Sequence, residues 1–192
     1  MILPIIGYGN PILKITSKDI NNSYPNLKKL INDMYETMYN ANGVGLAAPQ
    51  IGKSIRLFII DTAPFLNIDE NEIEGIKVES IKQTFINPVI IQESGDSWSF
   101  EEGCLSIPHI REDVKRKSDI NIEFYDENFT LNKKSFSGIV ARVIQHEYDH
   151  IQGILFTDKL TSFKKRLLKS KLNNIEKGNV DVDYLMDFYK KN

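Results

Sequence analysis

The sequence predicts a protein of mixed helices and strands built as one domain. An amphipathic segment from Pro25 to about Ala41, strand-like runs between Ser54 and Asp126, and a segment from Ser137 to His150 that is apolar on most sides lead to that expectation. The chain has 192 residues, 41% of them hydrophobic, which is enough to fill one core. No internal repeat, low-complexity run or linker divides it. Residues 1–192 are therefore expected to form a single domain, with about 161–192 as a carboxy-terminal helical tail.

In the first helix Leu27, Leu30, Ile31, Met34 and Met38 recur at helical spacing, with Lys and Asp between them. It should stop at "NGVGLAAPQIG", because Gly43 and Gly45 permit conformations closed to other residues and Pro49 cannot donate a backbone hydrogen bond. "SIRLFIID" (Ser54 to Asp61) is almost continuously apolar, as in a strand buried on both faces. The acidic "NIDENEIEG" and the wider segment from Pro64 to about Gln83 read as a surface excursion. "TFINPVIIQE" is a second strand, with Pro88 marking an edge or bulge.

"DINIEFYD" turns Ile120, Ile122 and Phe124 toward one face, and "DENF" joins it in a hairpin to "FTLNKKSF". The period then changes. Ile139, Val143, His146 and His150 share one helical face, and Val140, Ile144, Glu147 and Ile151 share a neighbouring one. A helix apolar on most sides belongs in the core, and Gly153 is its expected stop. "FKKRLLKSKL" reads as another amphipathic helix, and "DVDYLMDFYKKN" as a short terminal element.

Charge and composition narrow the function. With 24 Lys and Arg against 26 Asp and Glu, the net charge of -2 offers no global attraction to DNA or to an anionic membrane. Nothing approaches the length of a membrane span, and "MILPIIGYGN" lacks a basic leader and breaks at Pro4 and Gly7. One cysteine, Cys104, excludes an internal disulfide and suits a reducing cytoplasm.

The chemistry centres on "VIQHEYDH", which holds two of the three histidines in the chain. On a helix, His146 and His150 project from the same face with Glu147 beside them, the geometry of a two-histidine metal site. Burying these groups without compensation would be costly, and a metal ion compensates all three. A third protein ligand is then needed. The common zinc-peptidase pattern takes it from downstream, yet no histidine follows, and Asp158 and Glu176 lie in segments that read as surface. Cys104, in "EEGCLSIPHIRED", is preferred over a purely structural thiol: Gly103 lets the backbone approach an ion, and the Leu105 amide would lie where it could donate to an oxyanion. His109, which follows Pro108 in a polar stretch, fits a loop surface instead.

"GVGLAAPQ" (Gly43 to Gln50), "EGCLS" (Glu102 to Ser106) and "QHEYDH" (Gln145 to His150) resemble, in order and spacing, the three signature motifs of peptide deformylases. The resemblance implies an α+β fold of mostly antiparallel strands surrounding a central buried helix that carries the metal-binding motif, with a carboxy-terminal helix. It implies ligation by Cys104, His146 and His150, and hydrolysis of the formyl group from the amino-terminal methionine of newly made polypeptides in the cytoplasm. Three protein ligands leave a position for water, whose pKa a cation lowers to about 7. Glu147 would accept the water proton and deliver a proton to the departing amine. The carboxamide of Gln50 and the amide of Leu105 would hold the oxyanion.

Val44, Gly45 and Val143 occupy positions that resemble those lining the family's methionine pocket, and Gly45 would offer backbone groups to an extended peptide. Asp149 resembles an acidic position that steadies the site, with Arg116 as its candidate partner. A cysteine and two histidines suit zinc by softness and geometry. The resemblance implies ferrous iron as the native divalent ion, with nickel, cobalt and zinc as substitutes. The stretch from Lys164 to Leu172 resembles a helix that some bacterial members dock on the ribosome, and it reads equally as a solvated helix face. On this view the motif helix forms one side of the site and two loops form the others.

Overall fold

The computed structural model describes residues 1–67 and 80–189. Most of the excursion expected between Pro64 and Gln83 lies outside the described residues. Helix α1 spans Leu27–Asn40 and buries Leu27, Leu30, Ile31, Met34 and Met38, the residues that helical spacing selects. Its stop differs from expectation in one detail. Asn42, at φ 53°, takes the left-handed conformation, and Gly43 and Asn42 donate their amides to Met38 and Tyr39 in a Schellman closure.

Five strands form one antiparallel sheet in the order β2-β3-β4-β5-β6: β2 Gly45–Ala47, β3 Leu57–Asp61, β4 Lys82–Cys104, β5 Ile107–Tyr125 and β6 Leu131–Ser137. The apolar run of β3 is buried on both faces along Leu57–Ile60, as its composition predicts. Pairing between β4 and β5 slips between Ile86 and Val89, so Pro88 does mark a bulge. Ile120, Ile122 and Phe124 all turn inward from β5.

The ribbon made by β4 and β5 is longer than the sequence suggests. "EEGC", expected as loop, is the end of a strand, and Ile107 pairs with Cys104 across a two-residue turn. The polar run from Glu93 to Ser99 hides this extension, since a two-stranded ribbon wetted on both faces shows little apolar alternation.

Helix α2, Gly138–Ile151, packs against β2, β3, β5 and β6 and is buried along most of its length. Gly153, at φ 74°, follows its end, and a Cβ there would sit 2.6 Å from the Lys14 carbonyl oxygen, so the stop tolerates little else. Between α2 and the sheet lie Phe58, Phe85, Phe124 and Phe136, with ring centroids 4.7, 4.3 and 6.1 Å from Phe85. Helix α3, Ser162–Glu176, sends Leu168, Leu172 and Ile175 into a separate cluster with Ile107, Ile110 and Val114 of β5. Two short strands near the ends of the chain, β1 Ile5–Ile6 and β7 Met186–Asp187, pair in parallel.

Phe85 is fully buried at the centre of its aromatic cluster. Phe85→Ala should therefore cost about 3–5 kcal/mol of unfolding free energy, read as a lower urea midpoint at unchanged m-value.

Candidate metal centre and the cleft beside it

The spacing of four residues on α2 brings the rings of His146 and His150 to a centroid separation of 5.0 Å. Cys104 arrives from the opposite side, on the last residue of β4, with Sγ 3.3 Å from His150 Nε2. The thiol and the two imidazoles place one donor atom each within 4.8 Å of one another, a group that could hold one metal ion. A sulfur and two nitrogens suit a borderline-soft divalent cation. The local electrostatics also favour one positive charge here. Burial works against protonating His146, but Cys104 and Glu102 on either side outweigh it and raise its pKa to about 10. His150 is pushed well below the usual histidine range by burial and by His146.

Glu102 organises the next layer. Its Oε1 accepts hydrogen bonds from Arg116 Nε at 2.6 Å and Arg142 Nη1 at 2.9 Å, and its Oε2 accepts from Arg116 Nη2 at 2.8 Å. His146 Nδ1 lies 2.9 Å from the same Oε2. Burial pushes this carboxyl up, but the hydrogen bonds from Arg116 and His146 prevail and hold it well below the usual carboxylate range. An ionised Glu102 can only accept, so His146 carries a proton on Nδ1; the proton that its raised pKa adds sits on Nε2, and a bound cation would take that proton's place there. The expected Arg116–Asp149 pair is present, at 2.6 Å and buried.

Glu147 lies differently. Its Oε2 is buried without a hydrogen-bond partner among the described residues, and burial pushes its carboxyl up to about 7. Gly45 makes room for it, since a Cβ on Gly45 would stand 2.4 Å from Glu147 Oε1. Gln50 is held by the Ala47 amide, which donates to its Oε1 at 2.8 Å, and this turns Nε2 toward Cys104 Sγ at 3.4 Å and Ser106 Oγ at 3.3 Å.

A cleft of about 910 Å³ opens beside the cluster, lined by Val44, Gly45, Gln50, Cys104, Leu105, Val143, His146 and Glu147, among others. Of the nine residues expected to bind metal, act in catalysis or bind substrate, all but the buried His150 line this cleft, whereas the supporting pair Arg116 and Asp149 does not. His109 is exposed, as expected, but stands at the start of β5 rather than in a loop, with Nε2 2.6 Å from the Asp181 carbonyl oxygen.

Sequence reasoning assigned no role to Glu102, Arg142 or Tyr184. A signal for the first two existed: Arg142 sits on an otherwise apolar helix and needs a buried acid. The alternation of a strand sends Glu101 and Glu102 to opposite faces, so one of them was available to meet it. For Tyr184, whose hydroxyl donates to the Leu105 carbonyl oxygen at 2.8 Å, no local signal exists.

Known proteins resemble the chain closely. The sequence model of the family described as Polypeptide deformylase matches residues 2–166. A protein named peptide deformylase from Christiangramia forsetii is 59% identical over 98% of this chain and 96% of its own length. One of the same name from Flavobacterium psychrophilum is 54% identical over 100% of this chain and 99% of its own. Among solved structures, a peptide deformylase from Plasmodium falciparum superposes with a TM-score of 0.78 at 36% identity, covering 91% of this chain and 95% of that one. A peptide deformylase from Legionella pneumophila does so with a TM-score of 0.79 at 33% identity, covering 93% and 98%.

Removing Glu102 would strand two buried guanidinium groups. Glu102→Ala should lower stability by about 3–5 kcal/mol, measured by urea unfolding of the metal-free protein.

Proposed function

The chain belongs to the polypeptide deformylase family, and on that premise we propose that it removes the formyl group from the amino-terminal formyl-methionine of newly synthesised polypeptides, releasing formate. The observation that carries this reading is the convergence of Cys104, His146 and His150 beside a buried Glu147, whose Oε2 has no partner among the described residues, on the wall of an open cleft. Residues 1–192 act as one catalytic unit with 161–192 as its tail, a reading supported by the side chains that α3 shares with β5.

Cys104, His146 and His150 would hold one divalent cation. When bound, such an ion supplies Lewis-acid chemistry, lowering the pKa of water to about 7 and polarising a carbonyl. The protein's own groups do the rest. Water adds its oxygen to the formyl carbon while Glu147 takes one of its protons. The carbon–nitrogen bond then breaks, and Glu147 returns the proton to the departing amine. A carboxyl pushed up to about 7 by burial suits both tasks near neutral pH. Gln50 Nε2 and the Leu105 amide donate to the developing oxyanion, each worth roughly 3 kcal/mol if it behaves like other oxyanion-hole donors. Val44, Gly45 and Val143 wall the pocket for the methionine side chain, and the Gly45 backbone pairs with the extended peptide.

Ferrous iron is the ion we assign in the cell, with zinc, nickel and cobalt able to replace it. The substrate and the lone thiol favour the cytoplasm, and no helix among the described residues is long and apolar enough to cross a membrane. Transient contact with the ribosome runs through Lys164–Leu172, where Arg166, Lys169 and Lys171 are exposed beside exposed Phe163 and Leu167.

Protein purified without oxygen should contain iron and release formate from a formyl-methionyl peptide. Glu147→Gln should keep the metal and lose at least roughly 10²-fold in rate. No formate with any of the four metals would overturn the assignment. Replacing Arg166, Lys169 and Lys171 by Glu should weaken co-sedimentation with ribosomes at low salt while leaving turnover of a short peptide unchanged.

A further inference from the structure

After α3 the chain turns back toward the cleft. Gly7 and Ile5 donate their amides to the carbonyl oxygens of Asp187 and Leu185, both at 2.8 Å, and β7 pairs with β1. His109 meets the Asp181 carbonyl oxygen from the other side. These ties place Asp181, Val182, Asp183 and Tyr184 on the cleft wall. The Tyr184 ring packs with Leu105 against the cluster around α1, and its hydroxyl donates to the Leu105 carbonyl oxygen at 2.8 Å.

The turn that receives this bond lacks the usual means of holding its own shape. Cys104 and Ile107 pair across it, with Leu105 and Ser106 at the tip. Two-residue hairpin turns match the twist of their strands when a central residue has positive φ, and neither Leu105 nor Ser106 does. Outside contacts hold the tip instead. Tyr8 donates its amide to the Ser106 carbonyl oxygen at 2.9 Å, Gln50 Nε2 reaches Ser106 Oγ, and Tyr184 holds Leu105.

We propose that Tyr184 is a positioning residue for deformylation: by holding the Leu105 carbonyl it fixes the tip of the turn and so aims the Leu105 amide at the oxyanion. This rests on the deformylase reading above. The carbonyl and the amide flank one α-carbon, so anchoring the first restricts the second. A donor to a developing charge is effective only if it is in place before the charge forms. The carboxy-terminal segment is then a working part of the active site.

Tyr184→Phe removes the hydroxyl and keeps the ring. With a formyl-methionyl peptide, kcat should fall roughly tenfold, less than the 10²-fold or more expected from losing an oxyanion donor outright. KM, and inhibition by the deformylated methionyl peptide, which has no formyl oxygen, should stay the same. In zinc-loaded protein the 15N order parameter of Leu105 should drop from the rigid range of about 0.85. An unchanged kcat, or a lower kcat with the order parameter unmoved, overturns the proposal. So does a parallel loss of kcat, product binding and thermal midpoint, which would mark a merely structural tail. Absence of formate release by the wild-type protein would instead count against the deformylase reading, and the order parameter would still report on the Tyr184 bond.

Discussion

One buried carboxylate ties the functional half of this protein together. Glu102 comes from β4, Arg116 from β5, and Arg142 and His146 from α2, and the four meet at 2.6–2.9 Å around two carboxylate oxygens. Burying an ion costs several kcal/mol, and the cost is offset only where the geometry is good and the remaining lone pairs are filled. Here the lone pairs of Glu102 are filled, although Arg142 Nε has no partner among the described residues, and the network joins α2 to β4 and β5. Asp149 extends the network one helical turn onward, through Arg116 and Lys159.

That network also reaches the group that could hold a metal ion. The charge on Glu102 obliges His146 to present Nε2, and β4 brings Cys104 two residues after Glu102, so the acid and the thiol reach their partners from one strand. Glu147, next to His146 on the helix, has no such partner for its Oε2 among the described residues. Gly45 leaves room for it and burial pushes its carboxyl up to about 7, a state suited to passing a proton in either direction. One helix turn thus carries a satisfied histidine and an unsatisfied glutamate, and the contrast comes from which strand each one faces.

The cleft is assembled from distant parts of the chain. β2 supplies a free edge at Gly45, the turn after β4 supplies Leu105, and the carboxy-terminal segment closes a side with Tyr184. None of these would keep its shape alone. Gln50 links β2 to the turn, and Tyr184 links the turn to β7, whose place depends on pairing with β1 at the other end of the chain.

Local pattern was enough to determine α1, α2, α3, the buried strand β3 and the inward face of β5, because helical and strand periods are set by backbone geometry and show directly in where apolar residues fall. It was also enough to single out His146, Glu147 and His150, whose spacing is itself the geometry of a shared face. Cys104 could be reached by elimination, being the only thiol. The length of the β4–β5 ribbon could not be read, since strands wetted on both sides leave no hydropathy signature. Nor could the choice of Glu102 over Glu101, or the use of Tyr184. Those depend on which groups meet at sequence separations of 14 to 79, and hydrogen bonds between residues so far apart leave no period in the sequence. Only the folded structure decides them.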